Sequence, residues 1–283
     1  MQPKVELSQI RNLGEIIDDS ILFFKQTWKP LLKSYFTISG FFLFAGVIIS
    51  VFNQTKIFQL QQQGESIFSA TYFLTIFFYL VNFIFISLTG LSFITLYHEK
   101  GKEAPTVEEV WGYVKYYFFR VFSSSLLLTA LLIVGIFLCV LPGIYFMPVF
   151  LLIITIIIFE NATFGYAFNR AFQLIRDRWW QMFGTLMVMG LIVGCAIVLL
   201  SIPLIIITAL ILFLTNVNHE HTESIALVLT FSLFQVLWLL PVISVALTYF
   251  SLNEQKDDNN LFQRIEMLGK HNYDIDHLPS EEY

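Results

Sequence analysis

The chain is short of charge. Asp, Glu, Lys and Arg make up 13% of its 283 residues, roughly half of the ~25% usual in a soluble domain. Residues 34–55, 66–98, 121–159 and 179–219 contain none of the four. A run of about 20 apolar residues is enough to span a bilayer, and these gaps are that long or longer. They exclude a soluble enzyme, a nucleic-acid binder and a disordered regulator. Cysteine is equally scarce. Cys139 and Cys195 both sit in apolar stretches, so a four-thiolate metal site is excluded and no disulfide is expected. The net charge of −5 is too modest to suggest a polyanionic partner. A cleavable leader is not expected either. The first 33 residues carry nine charged side chains, from Lys4 to Lys33, with no short apolar segment directly after a basic start.

What the chain has in abundance is apolar surface. It is 57% hydrophobic, with a mean hydropathy of +0.72, and its 31 Phe residues read as core and lipid-facing filler. The expected fold is an all-α integral membrane protein with six transmembrane helices, since only helices and closed barrels satisfy the backbone in hydrocarbon. The spans fall at about 35–52, 69–97, 121–141, 144–160, 183–212 and 225–250. A cytoplasmic segment (1–34) precedes this membrane domain (35–251) and a polar tail (252–283) follows it. The second and fifth spans are long. Pro203 is expected to kink or end the fifth. Leu141-Pro142-Gly143 is expected to form a tight turn between the third and fourth.

The Lys and Arg residues set the orientation. The N-terminal segment holds five, the first loop only Lys56, and the second loop four. The third and fifth loops hold none, whereas the fourth loop and the tail hold three each. Fifteen of the 16 therefore share one side, and the positive-inside rule places both termini in the cytoplasm of a bacterial inner membrane.

The cytoplasmic segments before the first, third and fifth spans resemble one another. Asn12 and Glu15 form a capping-box pattern, followed by an apolar stripe of Leu13, Ile17, Ile21, Phe24 and Trp28. Thr106 and Glu109 repeat it, followed by Val107, Val110, Val114 and Phe118. The third begins near Asn161 and carries Phe168, Phe172, Ile175 and Trp179. Spacings of three and four mark one-sided helices. The expectation is three repeats of an interfacial amphipathic helix plus a membrane hairpin. The alternative is that any loop entering a membrane tends to become amphipathic.

Two stretches carry a family resemblance: Leu13 to Leu32, and Leu141 to Phe146 continuing from Phe159 to Gly184. Their Leu-Pro-Gly turn, Arg- and Ala-containing helix and Trp-Trp pair resemble the membrane domain attached to some glycerophosphoryl diester phosphodiesterases, a domain shared by stand-alone bacterial membrane proteins. The resemblance implies fold and location. It implies no catalysis here, because the ~32-residue tail is too short for the soluble catalytic barrel.

Membrane enzymes and proton-coupled transporters keep ionisable groups within their spans, and these spans have none. Glu160 comes nearest, at the end of the fourth span, as an interfacial carboxylate. Asn82 and Gln235 are amides deep in spans, suited to hydrogen bonding between helices. Gly190 and Gly194 form a GxxxG face on which another helix could pack. His219, Glu220, His221 and Glu223 read as a hydrated loop; no metal and no cofactor is expected. Trp28, Arg170, Arg176, Arg178, Trp179 and Trp180 suit a lipid interface. Leu261, Ile265, Leu268 and the terminal Tyr283 suit either a solvated tail or docking to a partner. The leading functional expectation is a non-enzymatic membrane subunit or scaffold of a multi-protein complex, with partners reached through the cytoplasmic helices and tail, lipid around it and no nucleic acid. The alternative is a transporter or lipid-handling protein.

Overall fold

A computed structural model describes residues 4–63, 69–138, 140–215 and 219–271; at 61–62, 138, 140–142, 211–215, 219–224, 233 and 257–271 it describes the backbone alone. Every regular element among them is helical: α1 (Leu13–Gln63), α2 (Ala70–Glu99), α3 (Val107–Leu138), α4 (Val140–Phe159), α5 (Phe164–Ile175), α6 (Trp179–Thr215), α7 (His219–Leu233), a 3-10 turn (Phe234–Trp238) and α8 (Leu239–His271). Five stretches are long and apolar enough to cross a membrane: Leu13–Leu60, Ala70–Glu99, Val107–Phe137, Trp179–Leu210 and Ile225–Lys256. Gly143–Phe159 is apolar but shorter. The all-α architecture with several such helices is that of a multi-pass membrane protein.

Local sequence explains where the helices begin. At α1, the Glu15 backbone N–H donates to Asn12 Oδ1 at 3.0 Å, and the Asn12 N–H to Glu15 Oε2 at 2.8 Å. At α3, the Thr106 N–H donates to Glu109 Oε2 at 2.8 Å, and Lys100 Nζ reaches the same carboxylate at 2.6 Å. Both are reciprocal capping boxes. The helices then run on without a break. The expected interfacial helix and first span are one 51-residue helix, about 76 Å long at 1.5 Å per residue. Interfacial segment and span are likewise fused in α3.

The buried stripe of α1 also differs from the expected one. The residues facing the protein are Ile16, Ser20, Phe23, Thr27 and Leu31, all nearly or fully buried, whereas Trp28 is 46% exposed. The inward face can include hydroxyls because Ser20 Oγ and Thr27 Oγ1 donate to the carbonyls of Ile16 and Phe23. Such local bonds make a small polar residue as buriable as alanine. Ile17, Ile21 and Phe24 are half-buried beside that face, and between Glu15 and Lys29 the exposed positions are Glu15, Asp18, Lys25, Trp28 and Lys29.

α1 and α2 form an antiparallel pair along their length. Phe23 meets Tyr97, Phe42 stacks on Phe85 with ring centroids 4.5 Å apart, and Ser50 reaches Tyr79. α8 runs parallel to α2: Gly90 lies against Val242, and His98 against Phe250. At the centre is the second half of α4, apolar all round as a surrounded helix segment must be. Val149, Leu152, Ile153, Ile156 and Ile157 are each 0% exposed.

Three prolines behave differently. α6 continues through Pro203 to Thr215, so the helix does not end there; in hydrocarbon a broken backbone has no water to bond to. Pro241 does break its span. Its ring would crowd the carbonyl of Leu237 four residues back, and the chain tightens into a 3-10 turn over Phe234–Trp238 before α8 restarts at Leu239. Pro142 does not mark a turn after α3. α3 reaches Leu138 and α4 begins at Val140, leaving the Leu-Pro-Gly backbone in the first turn of α4, where proline lacks nothing. Gly143 is what lets the two helices meet, since a Cβ there would lie 2.5 Å from Ile136 Cγ1.

Candidate functional site

α5 sets the shape of the site. Its small face, with Ala167 and Ala171 fully buried, permits close packing on α4. The chain therefore doubles back along α4 instead of continuing over a surface. Phe146 meets Phe168 and Phe172. Trp179 stacks on Tyr145 with centroids 5.4 Å apart and planes 8° apart, and its Nε1–H donates to the Tyr145 carbonyl at 3.1 Å. Tyr145 lies about 21 Å along α4 from Phe159. Sequence reasoning had put Tyr145 and Trp179 on opposite faces of the membrane, and the structure puts them in contact. Trp180, beside it, is 77% exposed, and Arg176 and Arg178 are exposed.

The turn between α4 and α5 is pinned by polar contacts. Asn161 has a left-handed φ of 48°, and its Oδ1 accepts from Arg120 Nη1 at 2.7 Å. Glu160 accepts from the Tyr249 hydroxyl at 2.8 Å and pairs with Arg170 Nε at 3.5 Å. Arg170 Nη2 donates to Asn253 Oδ1 at 2.8 Å. Tyr166 also bonds Glu160, and that bond raises its phenol above the ordinary tyrosine range. Glu160 and Arg170 are therefore engaged in joining α4, α5 and α8.

A second polar hub fixes the N-terminal segment. Arg11 Nε lies 2.7 Å from Asp19, and its guanidinium also bonds the carbonyls of Glu6, Leu7 and Gln9. Its backbone N–H donates to Ser251 Oγ, and its carbonyl accepts from Gln181 Nε2. Residues before α1 are thereby tied to α6 and α8. Nothing in the hydropathy pattern singled out Arg11; a lone arginine just ahead of a capping box was the available signal.

Because α6 starts beside the first turns of α4, the two helices separate over the rest of their length. A cavity of about 900 Å³ lies between them, within the ~300–1,000 Å³ range of ligand pockets. Its walls come from α2, α3, α4, α6, the 3-10 turn and α8, and include Phe83, Ser87, Phe150, Ile154, Trp238 and Val242. No acidic or basic side chain is among its lining residues. On the α6 side, Leu191 and Leu199 line the cavity yet are 63% and 66% exposed, so it opens sideways past α6 to the surroundings of the bundle.

Gly190 and Gly194 are in that wall. Neither has any atom within 4 Å of where a Cβ would sit. The expected helix-packing face instead faces the hollow. Asn82, 2% exposed, joins α2 to α1 through Nδ2 and the Phe42 carbonyl at 3.2 Å. Gln235 falls in the 3-10 turn. Leu261, Ile265 and Leu268 lie on α8, whose helix continues to His271; their side chains and Tyr283 lie outside the described residues, as do the side chains of His219, Glu220, His221 and Glu223 and that of Pro142. Among the described residues, no group of three metal-ligating side chains comes together. No family model, curated protein or solved structure matches the chain.

Proposed function

We propose that this is a non-enzymatic, multi-pass membrane protein that takes an apolar membrane molecule into the cavity between α4 and α6. The supporting observation is the cavity itself: about 900 Å³, walled by apolar side chains and open sideways past α6. Apolar surface left facing an empty space loses its dispersion contacts, and the supply of apolar occupants in a bilayer is the lipid. Walls without acidic or basic groups leave the Cys195 thiol and the wall's hydroxyls with no base beside them to activate a nucleophile. The test is purification of the full chain in mild detergent, followed by solvent extraction and mass spectrometry. A bound apolar species should be recovered at near-stoichiometric yield and be lost from Gly190→Phe/Gly194→Phe. Equal recovery from both proteins would contradict the reading.

The topology belongs to the same proposal. Both termini face the cytoplasm of a bacterial inner membrane, because 15 of 16 Lys and Arg then lie on the inner side. That needs an even number of crossings, so α4, the shorter apolar helix, is the sixth; to keep Arg176 and Arg178 on the inner side with Trp179 against Tyr145, α4 lies at a steep incline to the membrane normal. The chain is then three units of amphipathic helix and hairpin, akin by resemblance to the phosphodiesterase-associated membrane domain.

A second reading, as a scaffold subunit of a membrane complex, is favoured by one observation. α8 continues as helix well past the apolar stretch, to His271, with Leu261, Ile265 and Leu268 at spacings of four and three. Deleting residues 255–283 should then abolish partner co-purification while membrane insertion is retained; a partner still bound would remove the tail from that role.

A further inference from the structure

The arginines with described side chains divide into two kinds. Arg11 is held by Asp19, Arg120 by Asn161, and Arg170 by Glu160 and Asn253. Arg176 and Arg178 are exposed, and neither guanidinium has an ion pair or hydrogen bond among the described residues. Asp177, between them, is exposed and equally unengaged. The turn that joins α5 to α6 therefore presents two positive charges against one negative to whatever surrounds it.

This turn lies at the foot of the cavity. Trp179 follows Arg178 directly, and its indole stacks on both Tyr145 and Phe183, with planes 8° and 11° apart. Tyr145 is two residues from Met147, and Phe183 is one helical turn from Met187; both methionines line the cavity. The three rings form a sill between the charged turn and the hollow. Beyond the sill, the α6 wall runs from Leu186 to Leu199, about 20 Å along the helix. That is room for the chain of one leaflet, about half of a ~30 Å hydrocarbon core. Trp180 lies two turns before Met187, on the cavity face of α6, and is 77% exposed. Indole rings settle at the level of the lipid headgroups.

We infer that the occupant of the cavity is a phospholipid with an anionic headgroup, drawn from the leaflet where α6 begins. An acyl chain lies along α6 in the hollow, the glycerol crosses the aromatic sill, and the phosphate meets Arg176 and Arg178. The inference rests on the cavity reading above and names the class of lipid. The opening past Leu191 and Leu199 lets a chain enter sideways while its headgroup stays at the membrane surface. Guanidinium groups match phosphate in geometry as well as charge. A zwitterionic headgroup carries its own cation beside the phosphate, and the net positive charge of the turn repels it. A hydrocarbon without a headgroup makes no use of the turn.

Cys195 reports occupancy, because it is both exposed and part of the cavity wall. The experiment uses the full chain carrying Cys139→Ser, which leaves Cys195 as the sole thiol. It is run in a neutral detergent at low salt, where surface charge is least screened. Alkylation of Cys195 by N-phenylmaleimide is followed while dipalmitoylphosphatidylglycerol, dipalmitoylphosphatidylcholine or hexadecane is titrated into the micelle. The anionic lipid should protect at about fivefold lower mole fraction than the zwitterionic one, the equivalent of one net basic residue at a lipid surface. Arg176→Gln/Arg178→Gln should bring the anionic lipid's curve onto that of the zwitterionic lipid and leave the latter in place. Asp177→Asn should shift the anionic curve about fivefold the other way, a gain that damage to the fold does not produce. No preference for the anionic lipid, or a preference that survives Arg176→Gln/Arg178→Gln, would overturn the headgroup assignment and leave the cavity reading standing. Hexadecane protecting at as low a mole fraction as the anionic lipid would do the same. No protection by any of the three would overturn both readings.

Discussion

At the scale of single residues, the same residue type serves opposite ends according to what lies opposite it. Gly143 is pressed against Ile136, whereas Gly190 and Gly194 face nothing. Gly143→Ala should therefore overpack the α3–α4 junction and cost about 1–3 kcal/mol, measured as a lowered thermal unfolding midpoint in detergent. Gly190→Ala should change stability by no more than about 1 kcal/mol, in the favourable direction expected of a mid-helix glycine. An equal loss in both would mean that α6 packs more closely than described. Arg11 makes the opposite kind of contribution. Its side chain is 1% exposed, paired with Asp19 and bonded to three backbone carbonyls. Arg11→Met should cost at least about 3 kcal/mol, because an acceptor carboxylate and buried carbonyls lose their donor together. The site residues were only partly legible in the sequence for a related reason. Glycines spaced at four mark a smooth helix face, but whether a helix or a hollow lies against it depends on the path of α5 and α6, which no local pattern encodes.

At the scale of elements, helix starts follow local chemistry. The capping boxes at Asn12 and Thr106 exist as hydrogen bonds, whereas Thr163 at the start of α5 makes no side-chain cap bond. Asn12→Ala should cost about 1 kcal/mol and loosen the first turn of α1 in hydrogen exchange, while Thr163→Ala should leave α5 unchanged. A large effect at Thr163 would contradict the assignment. The 3-10 turn ahead of Pro241 was not legible in the same way, since Pro203 carries the same local clash and its helix runs on. Where elements lie against one another was not legible either. Hydropathy gives a helix its length but not its lateral neighbour, so the fold-back of α5 onto α4 and the stacking of Trp179 on Tyr145 were beyond it. The stripe of α1 was misplaced by one residue for a physical reason. Ser20 and Thr27 bond carbonyls of their own helix and so are buried together with Ile16, Phe23 and Leu31, while Ile17, Ile21 and Phe24 sit half-buried alongside.

At the scale of the whole molecule, the helices enclose a space instead of closing it. The second half of α4 is buried among its neighbours, α6 stands off from it, and the gap opens toward what surrounds the bundle. The proposed orientation predicts that cysteines placed at Lys25 and Asn253 react with an impermeant maleimide only from the cytoplasmic side, and one at Lys56 only from the opposite side. Labelling of Lys25 and Lys56 positions from the same side would contradict it. The central claim is that the space between α4 and α6 is filled by a molecule from the membrane. The most direct measurement is a density map of the full chain in a lipid nanodisc, with a rigid binder attached as a fiducial. The account predicts elongated density between α4 and α6, passing Gly190 and Gly194. A map in which α6 closes onto α4 with no space between them would contradict it.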